Sequence, residues 1–205
     1  MYIKCCGFKE KESIDTAIDH HVDAIGFITF PKSKRYVSIN EIKNLSHSIP
    51  GNIDKVAVVV NPSIEEVKEL VETTTINTIQ FHGDEDIEFI KQVQSLYPHL
   101  KVFKAIPANE QLPHQIQTFK NHIDLFLIDT PSTNYGGTGI SFDWSILKAI
   151  DEVPYLIAGG LDLEKINHIE SLKLNNIGYD ISSGIETNGK KDNYKIKTLL
   201  TNLKG

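Results

Sequence analysis

Residues 55–72 read KVAVVVNPSIEEVKELVE. Residues 55–60 are an apolar, β-branched run, the composition of a buried strand. Asn61 and Pro62 interrupt it. Ser63-x-x-Glu66 then supplies a hydroxyl and a carboxylate at capping-box spacing, which satisfies the first free N–H groups of a helix. A helix is expected over 63–72. The stretch is one strand, a short loop and one helix.

The same unit recurs along the chain. Strands are expected at 2–6, 23–28, 55–60, 78–82, 101–106, 125–129, 155–158 and 178–182. Helices are expected at 12–21, 38–48, 63–72, 85–96, 111–119, 144–150, 163–171 and 194–203. Ser38 and Glu41 repeat the capping-box spacing at the second helix. Apolar strands that alternate with helices imply a parallel sheet covered by helices. Eight such units in strict order are the number that closes a (β/α)8 barrel. An open doubly wound sheet should carry a glycine-rich nucleotide fingerprint after its first strand, and Cys6-Gly7-Phe8-Lys9 does not match one. The expectation is an α/β fold, a (β/α)8 TIM barrel, with residues 1–205 forming a single compact domain.

The bulk properties narrow the function. The 205 residues are 40% hydrophobic and 23% charged, with a formal net charge of -6. No strongly basic patch is present, so nucleic acid is not an expected partner. The densest basic run, Lys32-Ser33-Lys34-Arg35, reads by itself as a solvated loop. No apolar run reaches the ~18 residues of a membrane span, and no membrane partner is expected. The two cysteines, Cys5 and Cys6, are adjacent and cannot bridge each other readily. That usage fits a reducing, cytoplasmic location. A monomer or a homodimer is expected.

In barrels of this type chemistry gathers at the carboxyl ends of the strands. Those ends carry Cys6, Asn61, Gln80, His82, Lys104, Asp129, Gly159-Gly160 and Ser182-Ser183-Gly184. The last two loops are where such barrels often hold phosphate, on backbone N–H groups and hydroxyls. Gly159, Gly160, Asp180, Ser182, Ser183 and Gly184 are therefore substrate-binding candidates of the phosphate loops, although each glycine or serine-glycine pair alone could be a tight turn. Asp129 follows Leu-Phe-Leu-Ile at the lip of a buried strand, which raises a carboxyl pKa and suits a general acid. It could instead cap the Thr130-Pro131 turn.

Side chains alternate along a strand, so Lys4 and Cys6 share one side and Cys5 faces the other. With Cys6 in the barrel mouth, Cys5 packs against the helices. Lys4 then lies in the interior and needs a counter-charge; Asp180, on the neighbouring eighth strand, is the candidate. Lys4 could also favour the Cys6 thiolate. Gln80 and His82 share a side of strand four and either line the pocket or satisfy each other. The His and carboxylate spacings show no metal motif. Tyr135-Gly136-Gly137-Thr138-Gly139 reads as a mobile lid or a surface loop.

These stretches together resemble the phosphoribosylanthranilate isomerase family of tryptophan biosynthesis. The resemblance rests on Lys4-Cys5-Cys6-Gly7, Gly26-Phe27 with Pro31-Lys32-Ser33-Lys34-Arg35-Tyr36, Gln80-Phe81-His82-Gly83, and Leu127-Ile128-Asp129-Thr130. It continues through Tyr135 to Gly139, Phe142-Asp143-Trp144, Ala158-Gly159-Gly160-Leu161, Asp180 to Glu186, and Gly189-Lys190-Lys191-Asp192. It implies an aldose–ketose isomerase that performs an Amadori rearrangement on a small phosphosugar, without metal or cofactor. It implies Cys6 as general base, Asp129 as general acid and Arg35 as the contact to the anthranilate carboxylate. The chain departs from the family at Cys5, usually a branched aliphatic, at Phe8-Lys9, and at Asn188, often proline. The alternatives are another sugar-phosphate barrel isomerase and a non-catalytic phosphosugar-binding protein.

Overall fold

Strand residues of alternate parity face two different apolar environments, and that alternation builds the protein. The computed structural model describes residues 1–130, 144–150 and 152–205. Its strands are β1 (Tyr2–Cys6), β2 (Ala24–Ile28), β3 (Asp54–Val59), β4 (Thr78–Phe81), β5 (Lys101–Pro107), β6 (Leu125–Asp129), β7 (Tyr155–Ala158) and β8 (Gly178–Ile181). They pair in parallel in chain order, and β8 returns to β1 with Lys4 opposite Asp180. The barrel is closed, as the eight units imply.

One set of side chains fills the barrel: Cys6, Ala24, Val56, Val58, Phe103, Leu125, Leu127 and Leu156. The other set faces the helices and includes Ile3, Cys5, Ile25, Ala57, Ile79, Val102, Phe126 and Ile157. Cys5 and Cys6 thus belong to separate cores, one residue apart, because a strand has period two. A parallel sheet buried on both faces is expected to be apolar throughout; the interior exceptions lie at both ends, with Tyr2 and Lys101 bonded to Asp54 at the amino ends of the strands and Gln80, Asp129 and Asp180 toward the carboxyl ends.

The outer layer comprises α1 (Lys11–Asp19), α2 (Ile39–Ser46), α3 (Ile64–Thr73), α4 (Ile87–Leu96), α5 (Leu112–Phe119), α6 (Leu163–Ser171) and α7 (Asn193–Lys204). Both expected capping boxes form, at Ser38/Glu41 and Ser63/Glu66. Asp86, Asp162 and Asp192 cap α4, α6 and α7 through their side chains. Among the described residues no helix is long and apolar enough to cross a membrane.

Two elements differ from expectation. Trp144–Ile150 is a 3-10 helix, not an α-helix. Its buried residues, Leu147 and Ile150, are three apart, a spacing that three residues per turn place on one face. After β8 a short hairpin appears, β9 (Glu186–Thr187) with β10 (Lys190–Lys191). Its turn is Asn188-Gly189, with φ 53 and 77, both in the left-handed region that a type I′ hairpin turn requires. The expected glycine-rich loop at Tyr135–Gly139, and Phe142-Asp143 with it, lie outside the described residues.

Candidate active site

The carboxyl ends of the strands surround a cavity of about 250 Å³. Cys6, Arg35, Gln80, His82, Asp129, Gly159, Gly160, Asp180, Ser182 and Ser183 line it. Ile28, Val58, Ala105, Leu127 and Ala158 complete an apolar wall. Besides Asn61 and Lys104, the only expected site residue absent from the lining is Gly184. It packs its Cα against the Leu161 carbonyl, where no side chain would fit, and so fastens the loop after β8 to the loop after β7.

Strand parity explains who faces the cavity. Cys6, Gln80, Asp129 and Asp180 have the interior parity of their strands. Lys104 does not: it lies between Phe103 and Ala105, faces the helix layer and pairs with Glu85 at 2.9 Å. Its ammonium also donates to the Gly83 carbonyl at 2.8 Å. Asn61 likewise turns away, with φ 47, and its side chain accepts from the Asp84 N–H. Both strand-end polar residues brace loops and stand outside the site. A larger recess of about 320 Å³ lies between the loops after β2 and β3 and helix α3. Its carboxylates are Glu66 and Glu69, and Glu66 is engaged in the α3 capping box. The smaller cavity holds the thiol, the acid and the two glycine-serine loops, and is the candidate site.

Cys6 is almost fully buried, at 5% exposure. Below it, Lys4 is completely buried and donates to Asp180 at 2.9 Å. The expected pair is present. Burial would lower the Lys4 pKa, but Asp180 and the hydrogen bonds to Asp180 and Cys6 raise it instead, so the ammonium stays charged. Burial pushes the Cys6 thiol up; Lys4 and Lys191 oppose that push without cancelling it. The resting group is the thiol, with two cations placed to favour the thiolate when it forms.

Asp129 ends β6 and opens to the cavity mouth. Its carboxyl is held above the usual aspartate value, first by burial of its surroundings and further by Asp180, while His82 pulls the other way. Among the described residues its carboxylate has no hydrogen-bond partner, and the Thr130 hydroxyl bonds to the Ala158 carbonyl at 2.7 Å. The turn that Asp129 could cap, from Pro131 onward, lies outside the described residues. Gln80 is 2% exposed, and its Oε1 is buried with no partner. A buried orphan acceptor is costly, so Gln80 and His82 do not satisfy each other; the Gln80 oxygen is available to a donor in the cavity.

The two glycine-serine loops meet over one wall. Gly159 and Gly160 have φ 105 and 59, and Ser183 starts a single 3-10 turn that ends at Ile185. The Ser182 hydroxyl donates to the Cys6 carbonyl at 3.0 Å, which ties this loop to the base strand. Arg35 also lines the cavity, and its guanidinium is engaged by Glu186, at 2.6 Å from Nε and 2.7 Å from Nη2. Lys191 reaches the same carboxylate at 2.8 Å and the Ser182 carbonyl at 3.0 Å. Glu186 and Lys191 were not expected at the site. The hairpin that carries them was signalled by Asn188-Gly189, but nothing local marks a partner 151 residues from Arg35.

A family profile described as N-(5'phosphoribosyl)anthranilate (PRA) isomerase matches residues 3–202. The N-(5'-phosphoribosyl)anthranilate isomerase of Staphylococcus carnosus is 53% identical over 205 residues, covering 100% of this chain and 98% of the relative. That of Staphylococcus haemolyticus is 50% identical, covering 100% of this chain and 99% of its own. Among solved structures, phosphoribosyl anthranilate isomerase from Thermotoga maritima superposes with a TM-score of 0.85 at 32% identity, over 100% of this chain and 99% of that one. A phosphoribosyl anthranilate isomerase in complex with reduced 1-(o-carboxyphenylamino)-1-deoxyribulose 5-phosphate gives a TM-score of 0.84 at 27% identity, with the same coverage.

Proposed function

The chain belongs to the N-(5'-phosphoribosyl)anthranilate isomerase family and isomerises N-(5'-phosphoribosyl)anthranilate in tryptophan biosynthesis, and we propose that Cys6 is the general base and Asp129 the general acid of that reaction. The observation that carries the assignment is that the two open into one cavity, from β1 and β6, each with its pKa pushed up by burial.

Asp129, in its protonated form, delivers a proton to the furanose ring oxygen as the C1–O bond breaks. The ring opens to a protonated Schiff base between C1 and the anilino nitrogen. The positive charge on that nitrogen makes the C2 proton acidic, and Cys6 removes it as a thiolate. The electrons of the C2–H bond form the C1–C2 double bond of an enolamine, which tautomerises to the 1-amino-2-ketose. One acid and one base suffice. The Lys4 ammonium beside Cys6 stabilises the thiolate while it is charged, and Asp180 prevents Lys4 from giving up its own proton.

The remaining lining fits the substrate's other groups. The loops at Gly159-Gly160 and Ser182-Ser183 take the phosphate. Arg35 meets the anthranilate carboxylate, as a planar guanidinium does well. Gln80 Oε1 accepts from a sugar hydroxyl or from the anilino N–H, which removes the penalty of its burial. The test is alkylation: a thiol reagent should inactivate the enzyme by labelling Cys6 alone, and substrate or product should block it. Inactivation through Cys5, persisting in C6S, would contradict the assignment.

A further inference from the structure

Two charged residues beside the site, Glu186 and Lys191, have no contact with the substrate in the reading above, although both are nearly buried. Their side chains are 8% and 5% exposed. A guanidinium has five N–H bonds: one on Nε and two on each Nη. Glu186 uses the side-on edge of Arg35, taking Nε at 2.6 Å and Nη2 at 2.7 Å. Three N–H bonds remain, two on Nη1 and one on Nη2, and one from each nitrogen forms the end-on edge. That edge can hold a second carboxylate in bidentate fashion. Arg35 lines the cavity and Glu186 does not, so the free edge is the one offered to a ligand.

The support is rigid. The Glu186 carbonyl accepts from Lys195 of α7 at 2.7 Å, and Thr187 donates to the α7 cap Asp192 at 2.7 Å. The Asn188-Gly189 turn closes the hairpin. Lys191 adds a second bond to Glu186 and fixes the Ser182 carbonyl. On the other side the stem of Arg35 lies against Gly7, where a Cβ would come 2.5 Å from Arg35 Cδ. The three charges sum to one positive, so a carboxylate still meets a cation.

We propose that Glu186, braced by Lys191 from the β9–β10 hairpin, is a positioning residue that sets the plane of Arg35 so that its end-on edge receives the aryl carboxylate of the substrate. The proposal rests on the reading of Arg35 as the carboxylate contact. Holding the guanidinium in place before the substrate arrives moves the ordering cost from binding to folding.

Two ligands test it: reduced 1-(o-carboxyphenylamino)-1-deoxyribulose 5-phosphate and the same compound without its carboxylate. Removing a negative charge from the rim should, by charge alone, tighten binding of the carboxylate ligand. Positioning predicts the opposite sign. In E186Q the carboxylate ligand should bind about tenfold more weakly and KM should rise by a similar factor with kcat little changed, while the carboxylate-free ligand binds as before. Equal losses for both ligands, or tighter binding of the carboxylate ligand, would overturn the proposal. The E186Q/K191M double variant keeps the net charge of the rim and leaves no buried lysine unpaired; should E186Q fail to fold, the affinities of the two ligands are read from it in the same way, and its kcat is not, because Lys191 also acts on the Cys6 thiol. R35M separates the underlying reading. If R35M does not discriminate between the two ligands, Arg35 is not the carboxylate contact; if R35M does and the Glu186 variants do not, only the positioning role falls.

Discussion

Gly26 lies beside Cys6 across the β1–β2 ladder, and a Cβ placed on it would sit 2.6 Å from the Cys6 sulfur and 3.2 Å from the Cys6 Cα. The space the thiol occupies is the space a side chain on the next strand would fill. Gly26→Ala should therefore displace the sulfur or the backbone of β1. We expect kcat to fall by about 100-fold, the scale of a 1 Å misplacement, with a loss of about 1–3 kcal/mol in stability from overpacking. Steady-state kinetics with urea denaturation check both; wild-type kcat would show that the thiol needs no such clearance.

Lys4 makes the thiolate of Cys6 easier to form, and Asp180 opposes it. Lys4→Met removes a cation that opposes the effect of burial, so the Cys6 pKa should move further up. Alkylation by iodoacetamide at fixed pH should slow, because only the thiolate reacts. Cys5 does not interfere, since it is fully buried and its thiol is pushed up to about 12. The variant also strands Asp180, a partner in a buried pair, at a cost of about 3–5 kcal/mol. An unchanged alkylation profile would remove Lys4 from the chemistry.

The acid and base pKa values set the pH dependence. The active form needs Asp129 protonated and Cys6 ionised, yet Asp129 titrates at lower pH than Cys6. The fraction in that form rises with pH up to the Asp129 pKa, is level between the two, and falls above the Cys6 pKa. Asp129 lies above its ordinary 3.8 and Cys6 above its ordinary 9.0. A profile of kcat/KM should thus show a broad plateau across neutral pH, with the alkaline limb belonging to the thiol. A sharp optimum near neutrality would mean that the two groups are not both required in these forms.

Glu186 links the rim to acid stability. Burial would raise its pKa, but the hydrogen bonds from Arg35 and Lys191 overcome this and hold it at about 2, below its ordinary 4.5. A folded pKa below the unfolded one stabilises the protein above the unfolded value, and that contribution fades as pH falls through the folded value. Wild type should lose stability between about pH 4.5 and 2 more steeply than E186Q. Parallel thermal melts across that window check this; equal slopes would mean that the rim carries no linked proton.

Much of this was legible in the chain because period-two alternation and capping chemistry are local. Cys5 and Cys6 separate into two cores as alternation requires, and Ser63 and Glu66 form the box their spacing implies. Lys104 was misplaced by reading strand ends without parity: one position either side it would face the cavity, but at 104 it faces Glu85. The arrangement around Arg35 was invisible because its partner follows the last strand, which the closing of the barrel at β1 brings back near β2. The Asn188-Gly189 turn was local and could have been read, since Asn at φ 53 occupies a conformation closed to the proline often found there. The balance at Cys6, burial against Lys4, depends on depth, which no spacing encodes.

The most direct test of the acid–base assignment is turnover of C6A and D129A, followed by loss of fluorescence of freshly prepared N-(5'-phosphoribosyl)anthranilate. Each variant should fold, bind the reduced product, and lose at least about 1000-fold in kcat. Wild-type-like turnover in either one would contradict the account.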